Sequence, residues 1–235
     1  MPGITITTTV RNGPVEPTTS NSSQAFFVGK AERGPVNRAL LVKGMADFEL
    51  KYGPYVSGYY LHATVQSFFE EGGTQCYVAR VEKTASNVAS DSSSGTIPND
   101  EASPTTAITL TADGPGTWAN YAEGPPVTGL QWAVLEGSIT GSRILNVYLD
   151  GVLLVSTGSC TTTAQMVGKI NTHPAAANVL VATETNPGVY TTATSMPAIN
   201  ATLQAFTGGT IGATAIADSQ YTTALGFFND SFGTG

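Results

Sequence analysis

Alternating apolar and polar residues open the chain, within the run GITITTTV at residues 3–10. On an extended backbone two isoleucines fall on one face and two threonines on the other, and β-branched residues continue to the end of the run. Residues of this kind in this pattern predict a β-strand. The positions of the predicted strand that carry the argument below are Ile4, Thr5, Ile6, Thr7 and Val10.

The segment that follows this strand, residues 11–24, is polar and contains two prolines. That composition predicts an extended linker. A strand held away from its own domain exposes apolar surface and unpaired backbone groups, which the sheet of another subunit would satisfy. We therefore expect residues 1–24 to form an N-terminal arm and linker, with the strand at a subunit interface.

Short apolar runs alternate with helical patterns after the linker. The runs at 25–29, 39–42 and 76–81 predict strands, whereas 47–52 and 58–71 predict helices. The longer helix has apolar residues at the spacing of one buried face. These residues are Leu61, Val65, Phe68 and Phe69. Strands that alternate with helices indicate an α/β unit in which the helices cover the sheet.

The middle of the chain has strand patterns with few helices between them. Residues 84–106 are poor in apolar side chains and predict a loop. A helix is predicted at 162–171, and Asp150-Gly151 is the strongest hairpin-turn signal in the chain. The strands are predicted at 107–110, 130–136, 143–149, 152–155 and 179–182. This pattern is typical of a mostly-β domain.

Near the end of the chain the α/β pattern returns. Residues 205–209 predict a strand that runs into a glycine turn, and a helix is predicted to begin at Asp218 or Ser219. Its apolar face is expected to consist of Tyr221, Leu225 and Phe228.

These elements together predict a mixed fold, α+β or α/β, with an N-terminal extended arm and an α/β domain that contains an inserted mostly-β domain. The expected division is 1–24 for the arm and linker, 25–83 with 205–235 for the α/β domain, and 84–204 for the inserted domain.

Charge is scarce and unevenly distributed. Charged residues make up 11% of the chain, against roughly 25% in an average soluble domain. The net charge is −7, and residues 84–235 hold two Lys/Arg against ten Asp/Glu. Nucleic acid and anionic membrane are therefore not expected partners, because phosphate contacts need clustered basic residues. The scarcity of charge suits a protein that packs against copies of itself, and it equally suits a secreted β-protein.

Candidate catalytic groups do not form a recognisable site. His62 and His173 lack the neighbours of a metal-binding motif, so no metal or cofactor is expected. The acidic pair Glu70-Glu71 is better explained as a solvated helix end. Two cysteines predict free thiols rather than a disulfide framework. The chain has no secretory signal and no stretch long enough for a membrane span, so we expect it to remain in the cytoplasm of the cell that makes it, at least until assembly.

Four phrases of the sequence resemble, in the same order, the contractile tail sheath family of phages. The first two are AFFVGKAERGPVNRALLVKGMADFELKYG at 25–53 and HATVQSFFEEGGTQCYVARV at 62–81. The third and fourth are DGPGTWAN at 113–120 and FTGGTIGATAIADSQYTTAL at 206–225. The departures are Ala119, where the family often has glycine, and Ile211, where it often has aspartate. Together the phrases span about 200 residues.

The resemblance implies a structural subunit with no enzymatic activity. Sheath subunits stack as six-membered rings around a tail tube, and their terminal arms add strands to neighbouring subunits. The sheath shortens to drive the tube through a cell envelope. The partners implied are other sheath subunits, the tail tube protein, the baseplate and the tail terminator. The implied location is the virion tail, after assembly in the host cytoplasm.

Several alternatives remain open from the sequence. The family's second half has no counterpart here, so the chain is a truncated, incompletely represented or split sheath, from a phage or a related bacterial injection machine. A β-rich virion surface or receptor-binding module is the alternative function, and it leaves the α/β pattern of residues 25–81 unexplained. A small-molecule enzyme is supported only by that same α/β pattern.

Overall fold

A computed structural model describes residues 25–82, 91–124, 126–185, 195–210 and 216–232 of the chain. The predicted arm lies outside the described residues. The strands are β1 (Ala25–Gly29), β2 (Ala39–Val42), β3 (Cys76–Arg80), β4 (Ser94–Pro98), β5 (Thr106–Ala112), β6 (Leu130–Glu136), β7 (Arg143–Leu149), β8 (Val152–Ser156), β9 (Leu180–Glu184) and β10 (Asn200–Ala205). The helices are α1 (Met45–Tyr52), α2 (Tyr60–Glu70), α3 (Thr163–Thr172) and α4 (Asp218–Phe232). The described part of the chain is thus a mixed α+β fold.

The first sheet has three strands in the order β1-β3-β2. β1 and β3 are parallel, and β2 is antiparallel to β3. Because side chains alternate across a strand, the sheet has two apolar faces. Phe27 and Val78 lie on the face that α1 and α2 cover, and Val28 and Ala79 lie on the face that α4 covers. We call this three-layer unit of residues 25–82 and α4 the α/β part.

Residues 91–210 form two antiparallel sheets, which we call the β-rich part. Their strand orders are β10-β6-β7-β8 and β4-β5-β9. The largest hydrophobic cluster draws on both sheets and on α3, with Leu110, Trp132, Leu145, Met166 and Phe206 among its buried members. The two sheets and the helix therefore share one core.

The predicted hairpin turn is present between β7 and β8. Asp150 and Gly151 both have positive φ, at 52° and 78°. Two consecutive residues of this kind match the right-handed twist of the flanking strands. This agreement shows that the local turn chemistry alone was enough to place this hairpin.

Two predictions about strands were wrong. Residues 94–98, expected in a loop, form β4 and pair with β5. The strand expected at 205–209 ends at Ala205 as β10, where Ala205 pairs with Gln131 of the four-stranded sheet. Phe206 is also buried in the core of the β-rich part. The α/β part is therefore rejoined by α4 and not by this strand.

The apolar faces of two helices also differ from expectation. Leu61 and Val65 of α2 are fully buried, whereas Phe68 and Phe69 pack against the core while remaining half-buried. On α4 the buried residues are Ala224 and Phe228, and Leu225 is 56% exposed. Tyr221 is also exposed. The helix is therefore rotated relative to the prediction, and the small Ala224 allows it to approach the sheet closely.

Candidate functional site

The five residues expected to form the interface strand lie outside the described residues. Ile4, Thr5, Ile6, Thr7 and Val10 have no described position or partner in the structure. Their role therefore remains a prediction from the sequence. The described residues instead show which surfaces are open to a partner and how the two parts of the molecule are joined.

One open surface is the edge of the first sheet at β1. Within the part of the chain that the structure describes, β1 pairs only with β3. Phe26 is 44% exposed there, and a groove of about 350 Å³ lies beside the strand, with Lys30, Tyr60, Thr64 and Tyr221 in its walls. An edge strand is a template for an added strand.

A second functional feature is the joint between the two parts, centred on the buried side chain of Arg80. It lies at the end of β3 and is 1% exposed. Its Nε donates to the carbonyl oxygen of Ala31 at 3.0 Å, and Nη1 donates to those of Gly34 at 2.9 Å and Pro115 at 3.0 Å. Nη2 donates to the carbonyl oxygen of Glu32 at 3.2 Å.

The fifth N–H of this guanidinium reaches Glu82 Oε2 at 3.3 Å. All five donors of Arg80 therefore have a partner, as a buried guanidinium requires. Burial lowers the pKa of Arg80, and the negative charge of Glu82 opposes that shift. Lys30 Nζ adds a second positive charge 3.8 Å from Glu82. The acceptors come from the loop after β1 and from the turn at 113–116, so one side chain binds both parts.

Glycine permits the close approach of the two backbones at this joint. A Cβ atom on Gly114 would lie 2.1 Å from the carbonyl oxygen of Gly34, and Gly114 has a φ of 126°. Both the contact and the backbone angle exclude most other residues at this position. The turn at 113–116 and the loop at 31–34 are therefore in direct backbone contact.

The turn continues into a second set of contacts inside the β-rich part. Asn120 Nδ2 donates to the carbonyl oxygen of Gly209 at 2.8 Å, and Gly209 N donates back to Asn120 Oδ1 at 2.9 Å. Ser93 Oγ also donates to Asn120 Oδ1 at 2.8 Å. A Cβ atom on Gly209 would lie 2.3 Å from the carbonyl oxygen of Gly116. The segment at 206–209 is thus held against the turn at 113–120.

Ion pairs at the rim of the joint connect basic residues of the α/β part with acidic residues of the β-rich part. Arg33 Nη1 lies 3.5 Å from Asp150 Oδ2, at the β7–β8 turn. Arg38 pairs with Asp113 and also donates to Asn178 Oδ1 at 3.1 Å. The acidic excess of residues 84–235 is therefore partly paired with basic residues of the α/β part. Half-exposed pairs of this kind contribute little stability individually.

Beside these pairs, the carboxyl group of Glu32 is partly buried. Burial raises the pKa of Glu32, and Arg33 opposes that shift. Nearby Asp150 raises the pKa further through like-charge repulsion.

The groups weighed as candidate catalysts have structural contacts with their neighbours. His62 lies 3.2 Å from Glu49 and packs edge-on against Phe48. Glu70 accepts a bond from Gln66 on the surface of α2. Among the described residues, no group of three or more His, Cys, Asp or Glu side chains is arranged to hold a metal ion. Nor does any helix of the described ranges have the length and apolarity to cross a bilayer.

The sequence patterns do not predict the joint, although its main segments lie within the four phrases that resemble the sheath family. The four phrases that carry the family resemblance supply the loop at 29–35, Arg80, the turn at 113–120 and the segment at 206–209. A signal was present in Arg80 itself, because a charged residue inside the apolar run CYVARV must be paired if the strand is buried. Glu82 is two residues away, but the four carbonyl partners are 35 to 49 residues away in sequence, beyond the reach of pattern analysis.

Comparisons with known proteins show what the fold is similar to. No protein-family model matches the chain, and no curated protein matches it. The structure is similar to the sheath tail protein of Listeria innocua, with a TM-score of 0.59 and 14% identity. It is also similar to that of Desulfitobacterium hafniense, with a TM-score of 0.51 and 14% identity.

The coverage of these two matches is asymmetric. They cover 87% and 95% of this chain, but only 37% and 42% of the two sheath tail proteins. The chain thus spans less than half the length of the solved structures that it matches. At this level of identity the similarity concerns the fold, and the described part of the chain has the fold of the corresponding part of a tail sheath protein.

Proposed function

We propose that this protein is a structural subunit of a contractile tail sheath. The observation that carries the proposal is that the four phrases similar to the sheath family, found without reference to a structure, belong to a fold that matches two sheath tail proteins. Three of the phrases meet at Arg80, and the fourth is held against the turn at 113–120.

In this role the subunits polymerise as stacked six-membered rings around a tail tube. The rings end at a baseplate and a tail terminator, and the sheath forms part of the virion after assembly in the host cytoplasm. The energy for contraction lies in the difference between two packings of the same subunits. The protein needs neither a cofactor nor catalytic turnover for this role.

The N-terminal arm is the proposed interface element. Ile4, Ile6 and Val10 are apolar, and a polar linker separates them from the first sheet. A single added strand binds weakly, since each backbone hydrogen bond contributes only about 0.5–1.5 kcal/mol net. Repetition around a ring and along a tube makes the total large.

The proposed domain division follows the sheet memberships. The arm and linker are residues 1–24, as predicted. The inserted β-rich domain extends to about residue 210, because β10 and Phe206 belong to its core. α4 then returns to the sheet of the α/β domain. The predicted boundary was at residue 204. The proposed boundary at about residue 210 adds the end of β10 and the glycine turn to the inserted domain.

Electron microscopy of the protein co-expressed with the products of its neighbouring genes tests the proposal. Hollow striated tubes are expected if it is a sheath subunit. Isolated particles, or particles attached only at the outer surface of a virion, would instead favour a β-rich surface or receptor-binding module. Purified subunit without its neighbours is the control, because it lacks the tube on which the rings assemble.

A further inference from the structure

We propose that Arg80 is a positioning residue that fixes the orientation of the β-rich part relative to the α/β part. The proposal does not depend on the sheath function. It rests on the geometry of one guanidinium that binds backbone carbonyl groups from both parts at once. Backbone carbonyls cannot change rotamer, so these bonds constrain the two parts more tightly than contacts between flexible side chains do.

The acceptors of the Arg80 hydrogen bonds support this role, because they belong to both parts. Three carbonyl acceptors belong to residues 31, 32 and 34, in the loop that follows β1. The fourth belongs to Pro115, in the turn that follows β5 of the β-rich part. The guanidinium is planar with its N–H groups in a fixed fork, so its three bonds to the loop fix its orientation, and its one bond to Pro115 then sets the direction and distance of the turn.

The surroundings of the bonds exclude alternative placements. Gly114 is in backbone contact with Gly34, so the turn cannot move closer to the loop. Moving it away would leave the buried Arg80 with an unpaired donor, which is unfavourable away from water. The rim pairs of Arg33 and Arg38 are more exposed and involve side chains at both ends. These ion pairs can be kept while one part rotates relative to the other, whereas the Arg80 bonds cannot.

Arg143 provides a matched control. It is also buried, and its donors reach the carbonyl oxygens of Pro197 at 3.1 Å and Ser142 at 3.2 Å and the carboxylate of Asp100 at 3.3 Å. All of these partners belong to the β-rich part. Arg143 therefore has the same chemistry and comparable burial as Arg80 but does not bridge the two parts.

The experiment measures a distance distribution between one spin label on each part. Ser67 on α2 and Ala164 on α3 are exposed helical positions for introduced cysteines. The native Cys76 and Cys160 are both buried, and burial raises the pKa of Cys76 to about 11, so neither competes for the label. Double electron–electron resonance is recorded for the labelled parent protein, for Arg80→Lys and for Arg143→Lys.

We expect a single narrow distribution in the parent and a distribution roughly twofold broader in Arg80→Lys, because domains without a fixing contact move relative to each other. Arg143→Lys should lower the melting temperature without broadening the distribution. A merely structural role for Arg80 would change the melting temperature alone. An unchanged width in Arg80→Lys, or equal broadening in Arg143→Lys, would overturn the proposal.

Gly114→Ala is the second variant, in case Arg80→Lys does not fold. Its added Cβ collides with the carbonyl oxygen of Gly34 and would lie 3.4 Å from Arg80 Nη1, so it displaces the turn while Arg80 itself is retained, and a shifted mean distance is expected. Gly168→Ala is its control, because a Cβ there meets no atom within 4 Å. Loss of folding in both Arg80→Lys and Gly114→Ala would also contradict the proposal, because the joint would then be required for folding rather than for orientation.

Discussion

Among single residues, helical periodicity does not by itself identify the side chains that are buried in the core. Periodicity predicts Phe68, Phe69, Tyr221 and Leu225 for the buried faces of their helices. In the structure Phe68 and Phe69 are half-buried and Tyr221 and Leu225 are exposed, whereas Ala224, outside the predicted face of α4, is buried. Periodicity locates a helix, but its rotation is decided by which side chains fit against the sheet.

The half-burial of Phe68 sets the expected cost of removing its ring. The ring packs edge-on against Phe27 and Phe69, with centroids 5.5 Å and 5.3 Å away. Phe68→Ala should destabilise the protein by about 2 kcal/mol, less than the roughly 3–5 kcal/mol of a fully buried ring. Urea unfolding measures this change. Tyr60→Ala on the same helix is the control, since Tyr60 is 82% exposed; equal losses in the two variants would contradict the packing.

Tyr52 gives the protein a dependence on alkaline pH. Its hydroxyl is buried and donates to the carbonyl oxygen of Val78 at 2.5 Å, and burial raises its pKa well above the ordinary value. The folded state therefore retains this proton when the unfolded state loses it, above about pH 10. The contribution of this proton to the free energy of unfolding is fully present below that pH. It is lost as the pH rises from there towards the raised pKa of Tyr52.

Tyr52→Phe tests this linkage. At neutral pH the variant should lose about 1 kcal/mol, because one hydrogen bond is removed. Above about pH 10 its stability should fall less steeply with pH than that of the parent. Urea unfolding at several pH values between 8 and 11 measures both slopes; identical slopes would show that Tyr52 is not the responsible group.

Among the secondary-structure elements, the sequence predicts correctly those whose conformation depends on neighbouring residues. The Asp150-Gly151 turn and the strands on either side of it were predicted from sequence and are present. β4 was missed because its five residues, SGTIP, contain one large apolar side chain. Its position is decided by pairing with β5 and by the contact of Gly95 with Trp132, which no pattern within the segment encodes.

The predicted arm strand is an element whose role can be tested by assembly. Ile6→Pro removes a backbone donor in the middle of the strand. It should abolish tube formation while leaving the melting temperature of the isolated subunit unchanged, because the arm hypothesis assigns the strand to the sheet of a neighbouring subunit. Ile6→Val retains both the donor and the β-branch and should assemble like the parent. Normal tubes from Ile6→Pro would refute the arm hypothesis.

At the scale of the whole molecule, the two parts are joined by contacts between segments far apart in sequence. The joint brings together Arg80, the turn at 113–120 and the segment at 206–209, and its rim pairs basic with acidic residues. Sequence reasoning predicted a mixed fold and the phrases that form the joint. It did not predict their convergence, because long-range contacts depend on how the two cores are placed against each other.

Cryo-electron microscopy of tails from cells that produce this protein tests whether it is a sheath subunit. The described fold is fitted into the reconstructed density. We expect it in stacked rings around a central tube, repeated along the tail, with residues 3–10 extended across a subunit boundary. Density for this fold only at a fibre, at the outer surface of the virion or nowhere in the tail would contradict the claim.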